Sequence, residues 1–264
     1  MKLGFIGCGN MAKAILGGVL KSNIAAKEDV MVSAAHAATI EKAAAEFGVK
    51  TTLNNAEVAK NSDVIILAVK PMYYEAVIAE IAGSVSPEQI FISIAPGKTI
   101  EWIAQRLGEE RKIVRTMPNT PALVGEGMTA VCYNEQMEAA DKERVMAILN
   151  SFGKAEEIKE YMMDAVVAVS GSSPAYVYMF IEAMADAAVA EGLPRAAAYE
   201  FAAQAVYGSA KMVLETGLHP GVLKDQVCSP GGTTIQAVEV LEKQGMRSAV
   251  MEAMTACAEK SRKM

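Results

Sequence analysis

Two short stretches of this 264-residue chain have residue types and spacings suited to holding anions, and a third, Ala68-Val69-Lys70-Pro71, carries a lysine at a strand end. The first is Gly7-Cys8-Gly9-Asn10-Met11-Ala12, which follows the apolar run Leu3-Gly4-Phe5-Ile6 and precedes a helical pattern at Ala14, Ile15, Val19 and Leu20. In that strand–turn–helix setting Gly7 permits a tight turn, Gly9 leaves room for a pyrophosphate, and Ala12 lets helix and strand pack closely. Free backbone N–H groups at the helix start, with the positive end of its dipole, then hold the diphosphate of a dinucleotide. The second stretch is Cys228-Ser229-Pro230-Gly231-Gly232-Thr233-Thr234, directly before another helical pattern. Successive small residues at a helix start also make an anion site. With one such site given to cofactor phosphates, Ser229, Gly231, Gly232, Thr233 and Thr234 become candidates for a substrate carboxylate. The same residues read equally well as a helix-linking turn with Thr233 or Thr234 as N-cap. Lys70, between an apolar run and Pro71, could serve as a general acid, but that setting more often holds an exposed strand-end charge. The loop is assigned backbone contacts and no proton transfer.

The first half of the chain alternates strand and helix patterns. After the opening strand and helix, Val30–Ala34 reads as a second strand, and Thr39–Phe47 as a helix stopped by Gly48. Asp63–Val69 is a continuous apolar run, as expected of a strand covered on both faces. A helix over Met72–Ala82 follows, then strands at Gln89–Ile94, Lys112–Met117 and Gly127–Tyr133, a helix over Glu138–Asn150 and a short strand at Glu156–Ile158. This order predicts a Rossmann-type doubly wound α/β domain over residues 1–160.

From about Tyr161 alanine and methionine dominate and no strand pattern remains. Helices are expected from Pro174 to Glu191, from Arg195 to Thr216, from Thr233 or Thr234 to Gly245, and from Arg247 to Lys260. Residues 161–264 are thus expected to form an all-α domain. The Pro174 helix is apolar nearly all round, with Tyr176, Val177, Tyr178, Met179, Phe180, Ile181, Ala183 and Met184. About a hundred residues of helix could hardly enclose it, so a subunit interface is expected there, with burial inside the monomer as the alternative.

Composition narrows the function classes. A net charge of −6 without any Lys/Arg cluster argues against nucleic acid as a partner. The four cysteines Cys8, Cys132, Cys228 and Cys257 are scattered and read as reduced thiols. The two histidines, His36 and His219, are far apart, so neither a metal site nor a histidine-based triad is expected. No apolar stretch reaches the roughly 20 residues that span a bilayer, and Gly4 and Gly7 interrupt any leader-like run. A cytoplasmic protein without membrane contact is expected.

Ligands of open α/β sheets sit at the carboxyl ends of the strands. Those ends gather Gly7, Cys8, Gly9, Asn10, Met11 and Ala12, then Ser33, Ala68, Val69, Lys70 and Pro71, and Ala95 and Gly97. An adenosine ribose with a free 2′-OH usually meets an Asp or Glu at the end of the second strand, whereas a 2′-phosphate needs donors and no acid. Here Ser33 ends the strand and no carboxylate follows before Glu41. That favours NADPH, with NADH as the second option.

Beyond these readings the chain resembles the pyrroline-5-carboxylate reductase family over essentially its whole length. The resemblance is carried by Gly7–Ala12, by Ala68-Val69-Lys70-Pro71, by Met117-Pro118-Asn119-Thr120-Pro121 and by Ser170-Gly171-Ser172-Ser173-Pro174-Ala175-Tyr176. Most specific is Leu223-Lys224-Asp225-Gln226-Val227-Cys228-Ser229-Pro230-Gly231-Gly232-Thr233-Thr234-Ile235-Gln236-Ala237. It implies reduction of 1-pyrroline-5-carboxylate to L-proline, cofactor contacts from the Gly7–Ala12 loop, Ser33, Asn55 and Ala68–Pro71, and a substrate carboxylate against Ser229–Thr234. It also implies a helical domain that dimerises, often into rings of dimers. The chain departs from the family pattern at Val167, where many members have Thr, and at Ser173, where Gly is usual. The substrate is a cyclic imine that can arrive protonated, so positioning matters more than acid–base residues, and Thr234 is assigned a hydrogen bond near the ring nitrogen. Two other functions fit the same fold: a related imine or β-hydroxyacid reductase, and a non-catalytic nucleotide-binding regulator.

Overall fold

The computed structural model describes residues 1–263. The chain divides into two compact units, Met1–Ser172 together with the last turns of the C-terminal helix from Cys257, and Ser173–Ala256.

The first unit is built on one eight-stranded sheet: β1 (Leu3–Ile6), β2 (Val30–Ser33), β3 (Lys50–Thr52), β4 (Val64–Leu67), β5 (Ile90–Ser93), β6 (Lys112–Met117), β7 (Gly127–Tyr133) and β8 (Gly153–Glu157). The strand order is β3-β2-β1-β4-β5-β6-β7-β8. Strands β1 to β6 run parallel, β7 runs antiparallel to β6, and β8 pairs parallel with β7. Parallel neighbours need crossovers, supplied by α1 (Asn10–Lys21), α2 (Ala37–Phe47), α3 (Asn55–Lys60), α4 (Tyr74–Ile81) and α5 (Ile100–Leu107). Helix α6 (Ala139–Asn150) joins β7 to β8. The order turns back between β1 and β4, the switch point where a doubly wound sheet opens its ligand crevice.

Strand alternation sorts the apolar residues onto two faces. Leu3, Phe5, Val64 and Ile66 pack with Ile15, Leu16 and Val19 of α1 and Ile148 and Leu149 of α6. Ile6, Ile65, Leu67 and Phe91 pack with Val58, Ile78, Ile103 and Leu107 from α3, α4 and α5. Both faces being covered explains why β4 reads as an unbroken apolar run.

The doubly wound expectation holds, with differences of detail. Four elements were not anticipated in this half: β3, α3, α5, and α7 (Met163–Val166), which continues as a π-helical turn over Val167–Gly171. Strand β3 is three residues long and polar, and α3 has six residues, too short for periodicity to register. Helix α5 is amphipathic but starts on the side chain of Thr99, which caps it by accepting from the Trp102 N–H. Strand β8 begins at Gly153 rather than Glu156, so its paired length lies mostly before the expected segment.

The second unit contains α8 (Ser173–Ala190), α9 (Arg195–Thr216), α10 (Pro220–Val227), α11 (Thr233–Lys243) and the start of α12 (Met246–Ser261). Helix α10 was not expected; Pro220 opens it and His219 Nδ1 caps the Gly221 N–H at 3.0 Å. No strand follows β8 among the described residues. Within this unit only Ala185, Ala198 and Ala202 are buried, at the α8–α9 packing seam. Met179 and Phe201 are 68% and 69% exposed, and Tyr178, Phe180, Met212 and Leu214 are exposed as well. A single copy therefore leaves the apolar faces of these helices uncovered, as expected of an interface helix rather than one enclosed by its monomer.

Candidate functional site

The dinucleotide candidates converge at the carboxyl ends of β1, β2, β4 and β5. Register places Ile6 beside both Ser33 and Leu67, and Leu67 beside Ser93. Two backbone bonds then tie the loops together: Gly7 N–H donates to Ser33 O at 2.9 Å, and Ala68 N–H to Ile6 O at 2.8 Å. Gly7 turns with φ +99°, and a Cβ there would lie 2.6 Å from Ala68 O. Only glycine fits this position. Gly9 is the opposite case, because nothing lies within 4 Å of where its Cβ would stand. That open face is the cradle a pyrophosphate would fill.

Gly9 is also the N-cap of α1, with no side-chain cap bond and no acidic residue in the first turn. The first intrahelical bond falls to Lys13 N–H, on Gly9 O at 3.0 Å, so the N–H groups of Asn10, Met11 and Ala12 have no acceptor within the helix. Lys13 is bound to Glu46 at 2.5 Å, and the helix start adds the positive end of its backbone dipole. Cys8 is buried, and burial pushes its thiol pKa up despite the neighbouring Lys13. It is an inert packing residue.

A buried polar network braces the next two loops. Tyr74, fully buried on α4, donates its hydroxyl to Leu67 O at 2.5 Å and accepts from Ser93 Oγ at 3.1 Å. Burial raises its pKa far beyond neutrality, so the hydroxyl stays a donor. Ser93 Oγ in turn accepts from Ala95 N–H at 3.4 Å, and Thr116 Oγ1 donates to Ser93 O at 2.9 Å. Tyr74 thus holds the loops of Ala68–Pro71 and Ala95–Gly97 through one oxygen. Its position inside an ordinary helical pattern gave no sequence signal for this. Lys70 is exposed and N-caps the short turn Pro71–Tyr73.

At the end of β6, Asn119 donates Nδ2 to Ser170 O at 3.0 Å and accepts the Met128 N–H at 2.8 Å. It ties β6 and β7 to the π-helical turn, in which Ser172 N–H reaches Val167 O at 2.8 Å. Val167 packs against Met117, Ala130, Cys132 and Met163, so its side chain belongs to an apolar cluster. Burial pushes the Cys132 thiol up to about 12.

In the second unit, Ser229, Pro230, Gly231, Gly232, Thr233 and Thr234 form one turn into α11. Gly232 N–H donates to Ser229 O at 3.0 Å, and Gly232 is the N-cap. The expectation of Thr233 or Thr234 as N-cap is corrected: they are the first and second residues of the helix, because Gly232 already supplies the extended cap conformation. No side-chain cap bond or first-turn acid occupies this helix start. It presents bare N–H groups, as an anion site requires. Among the described residues no group of three or more His, Cys, Asp or Glu side chains could hold a metal ion.

A family model for pyrroline-5-carboxylate reductase dimerisation matches residues 160–264, and one described as NADP oxidoreductase, coenzyme F420-dependent, matches residues 2–97. Pyrroline-5-carboxylate reductase of Escherichia coli strain K12 is 55% identical, over 100% of this chain and 98% of its own. The chain belongs to the pyrroline-5-carboxylate reductase family. Among solved structures, that of Plasmodium falciparum pyrroline carboxylate reductase with NADP bound is 38% identical with a TM-score of 0.89, covering 99% of this chain and 97% of that one. The reductase from Coxiella burnetii is 35% identical with a TM-score of 0.92 at the same coverage. The uncovered helical faces and the dimerisation model together mean that the protein self-associates.

Proposed function

We infer that the protein reduces 1-pyrroline-5-carboxylate to L-proline, the last step of proline synthesis, with NADPH ahead of NADH as donor. Family membership along the whole chain carries this reading. When bound, the reduced nicotinamide supplies a hydride to the C=N carbon of the protonated imine, leaving the ring nitrogen as a neutral amine and the cofactor oxidised.

The chain's own residues bind and orient. The N–H groups of Asn10, Met11 and Ala12, beside the open Gly9, hold the diphosphate. Asn55, held by the buried Ser33, meets the adenosine ribose, and the Ala68–Pro71 and Ala95–Gly97 loops, braced by Tyr74, hold the nicotinamide half. Ser229, Gly231, Gly232 and Thr233 fix the substrate carboxylate on the start of α11, and Thr234 hydrogen-bonds near the ring nitrogen. No general acid is assigned, since a protonated imine needs none. In this reading residues 1–160 are the cofactor domain and 161–264 the substrate and dimerisation domain, as the family-model boundary at residue 160 supports. Dimers, or rings of dimers, would cover the exposed faces of α8 and α9. No helix among the described residues is long and apolar enough to cross a membrane. The four free cysteines fit a reducing compartment, so we place the protein in the cytoplasm.

A β-hydroxyacid reductase would need a catalytic lysine among the helices. Lys211, the only lysine of α9, is exposed and paired with Glu215 at 3.4 Å, an ordinary surface arrangement. The test is direct: purified protein with 1-pyrroline-5-carboxylate and NADPH should consume the reduced cofactor and yield proline. Tight NADPH binding without turnover would overturn the reading in favour of a regulatory role.

A further inference from the structure

Ser33 ends β2 fully buried, with its hydroxyl committed. Oγ donates to Asn55 Oδ1 at 2.7 Å, with Phe5 O as a longer second acceptor at 3.4 Å. Asn55 opens α3, and its Nδ2 donates to Glu80 Oε2 at 2.7 Å. Glu80 lies on the exposed side of α4. An ionised carboxylate has only lone pairs, so Glu80 fixes the Asn55 amide with nitrogen toward itself and oxygen toward Ser33. The donors therefore run one way, from Ser33 through Asn55 to Glu80. Ser33 is closed off, so a ligand at this strand end meets half-buried Asn55, whose Nδ2 keeps a second N–H beyond its bond to Glu80.

A ribose 2′-OH can accept that N–H and brings no charge. A 2′-phosphate can accept it too, but is mostly dianionic at neutral pH. It would also meet the Glu80 charge: two bonds of 2.7 Å on either side of one amide place that carboxylate no more than about 8 Å from the Ser33 hydroxyl, within a physiological Debye length. We propose that Glu80 is a positioning residue that, by holding the Asn55 amide and setting its charge beside it, narrows the enzyme's preference for a 2′-phosphorylated dinucleotide over its 2′-hydroxyl counterpart. This rests on the reading that the adenosine ribose binds at the end of β2.

The test uses Glu80→Gln in the full-length protein. Glutamine removes the charge while its side-chain oxygen can still accept from Asn55 Nδ2, so the amide keeps its orientation. Calorimetric titration with adenosine 2′,5′-bisphosphate and with 5′-AMP reads binding without turnover. The bisphosphate should bind about 3- to 10-fold tighter relative to 5′-AMP than in the wild type, from loss of repulsion between partly screened charges. The ratio of kcat/KM for NADPH to that for NADH should rise in the same direction. Glu75→Gln, which removes another exposed carboxylate of α4, should leave both ratios unchanged. Equal effects on the two nucleotides, or an equal shift with Glu75→Gln, would refute the role of Glu80 alone. Failure of the wild type to bind either nucleotide would instead overturn the dinucleotide reading, and this inference with it.

Discussion

Gly7 and Gly9 stand two residues apart in one loop, yet alanine at each should fail in a different way. At Gly7 the methyl group enters a φ of +99° and lies 2.6 Å from Ala68 O and 2.8 Å from Val69 N. The left-handed backbone costs about 1–2 kcal/mol for a residue with a Cβ, and overpacking against main-chain atoms adds about 1–3 kcal/mol. Gly7→Ala should therefore lose about 2–5 kcal/mol and pull the β1 and β4 loops apart. At Gly9 φ is −82°, ψ is −176° and nothing lies within 4 Å of the new Cβ. The fold should register only the weaker N-cap, on the order of 0.5–1 kcal/mol. The methyl group instead occupies the open cradle, so NADPH binding should weaken at least tenfold, or about 1.4 kcal/mol. Urea denaturation at one fixed protein concentration gives the first quantity, since an oligomer's stability depends on concentration. Quenching or transfer of nicotinamide fluorescence gives the second. Gly9→Ala that binds NADPH like the wild type would refute the assignment of the diphosphate to this loop.

Other consequences are smaller in scope. Tyr74→Phe deletes the hydroxyl shared by Leu67 O and Ser93 Oγ; stability should fall by about 1–3 kcal/mol and KM for the cofactor should rise, and an unchanged KM would mean the network does not brace the loops. Thr234→Ala should lower kcat/KM for the imine about 5- to 30-fold, the value of one or two hydrogen-bond increments, with NADPH binding retained; an unchanged kcat/KM removes Thr234 from the mechanism. Asp141 is buried, and although burial raises its pKa, the Lys112 hydrogen bond and the charges of Lys112 and Arg144 outweigh that and hold it low. A depressed carboxylate stabilises the fold above its unfolded pKa near 3.9 and loses that contribution as pH falls through the folded value, so Asp141→Asn should be less stable by about 3–5 kcal/mol at pH 7 and converge on the wild type in acid. A constant difference across that range would refute the ion-pair account. Met179→Glu combined with Phe201→Glu should shift the protein toward monomer in sedimentation velocity, and an unchanged assembly would place the interface elsewhere.

How far the sequence reads through to the site depends on how much of each feature is local. The Gly7–Ala12 loop is legible because a turn, a cap and a close packing contact all fall within six residues. The buried runs of β1, β4 and β5 are legible because both faces of the sheet are covered. Strand β3 and helix α3 escape because neither is long enough to show a period, and polar Lys50–Thr52 lies at the sheet edge. The N-cap of α11 is misread because Thr is an apt cap in isolation, while the Ser229–Gly232 turn already delivers the chain in the cap conformation one residue earlier.

The carboxyl end of β2 shows a different limit. Scanning forward from Ser33 meets no carboxylate before Glu41, which argues for a 2′-phosphate. In the fold a carboxylate is nonetheless present, 47 positions later, linked to Ser33 through the one amide of Asn55. Acid at this site is a property of the β2–α3–α4 packing, and no window along the chain contains it. The same holds for Tyr74, which looks like one more core residue of α4 until its hydroxyl is seen to join two strand ends. A motif names the groups that touch a ligand through the backbone, because backbone geometry is set locally. The side chains that decide how those groups are oriented come from whichever helix the sheet happens to bring over them.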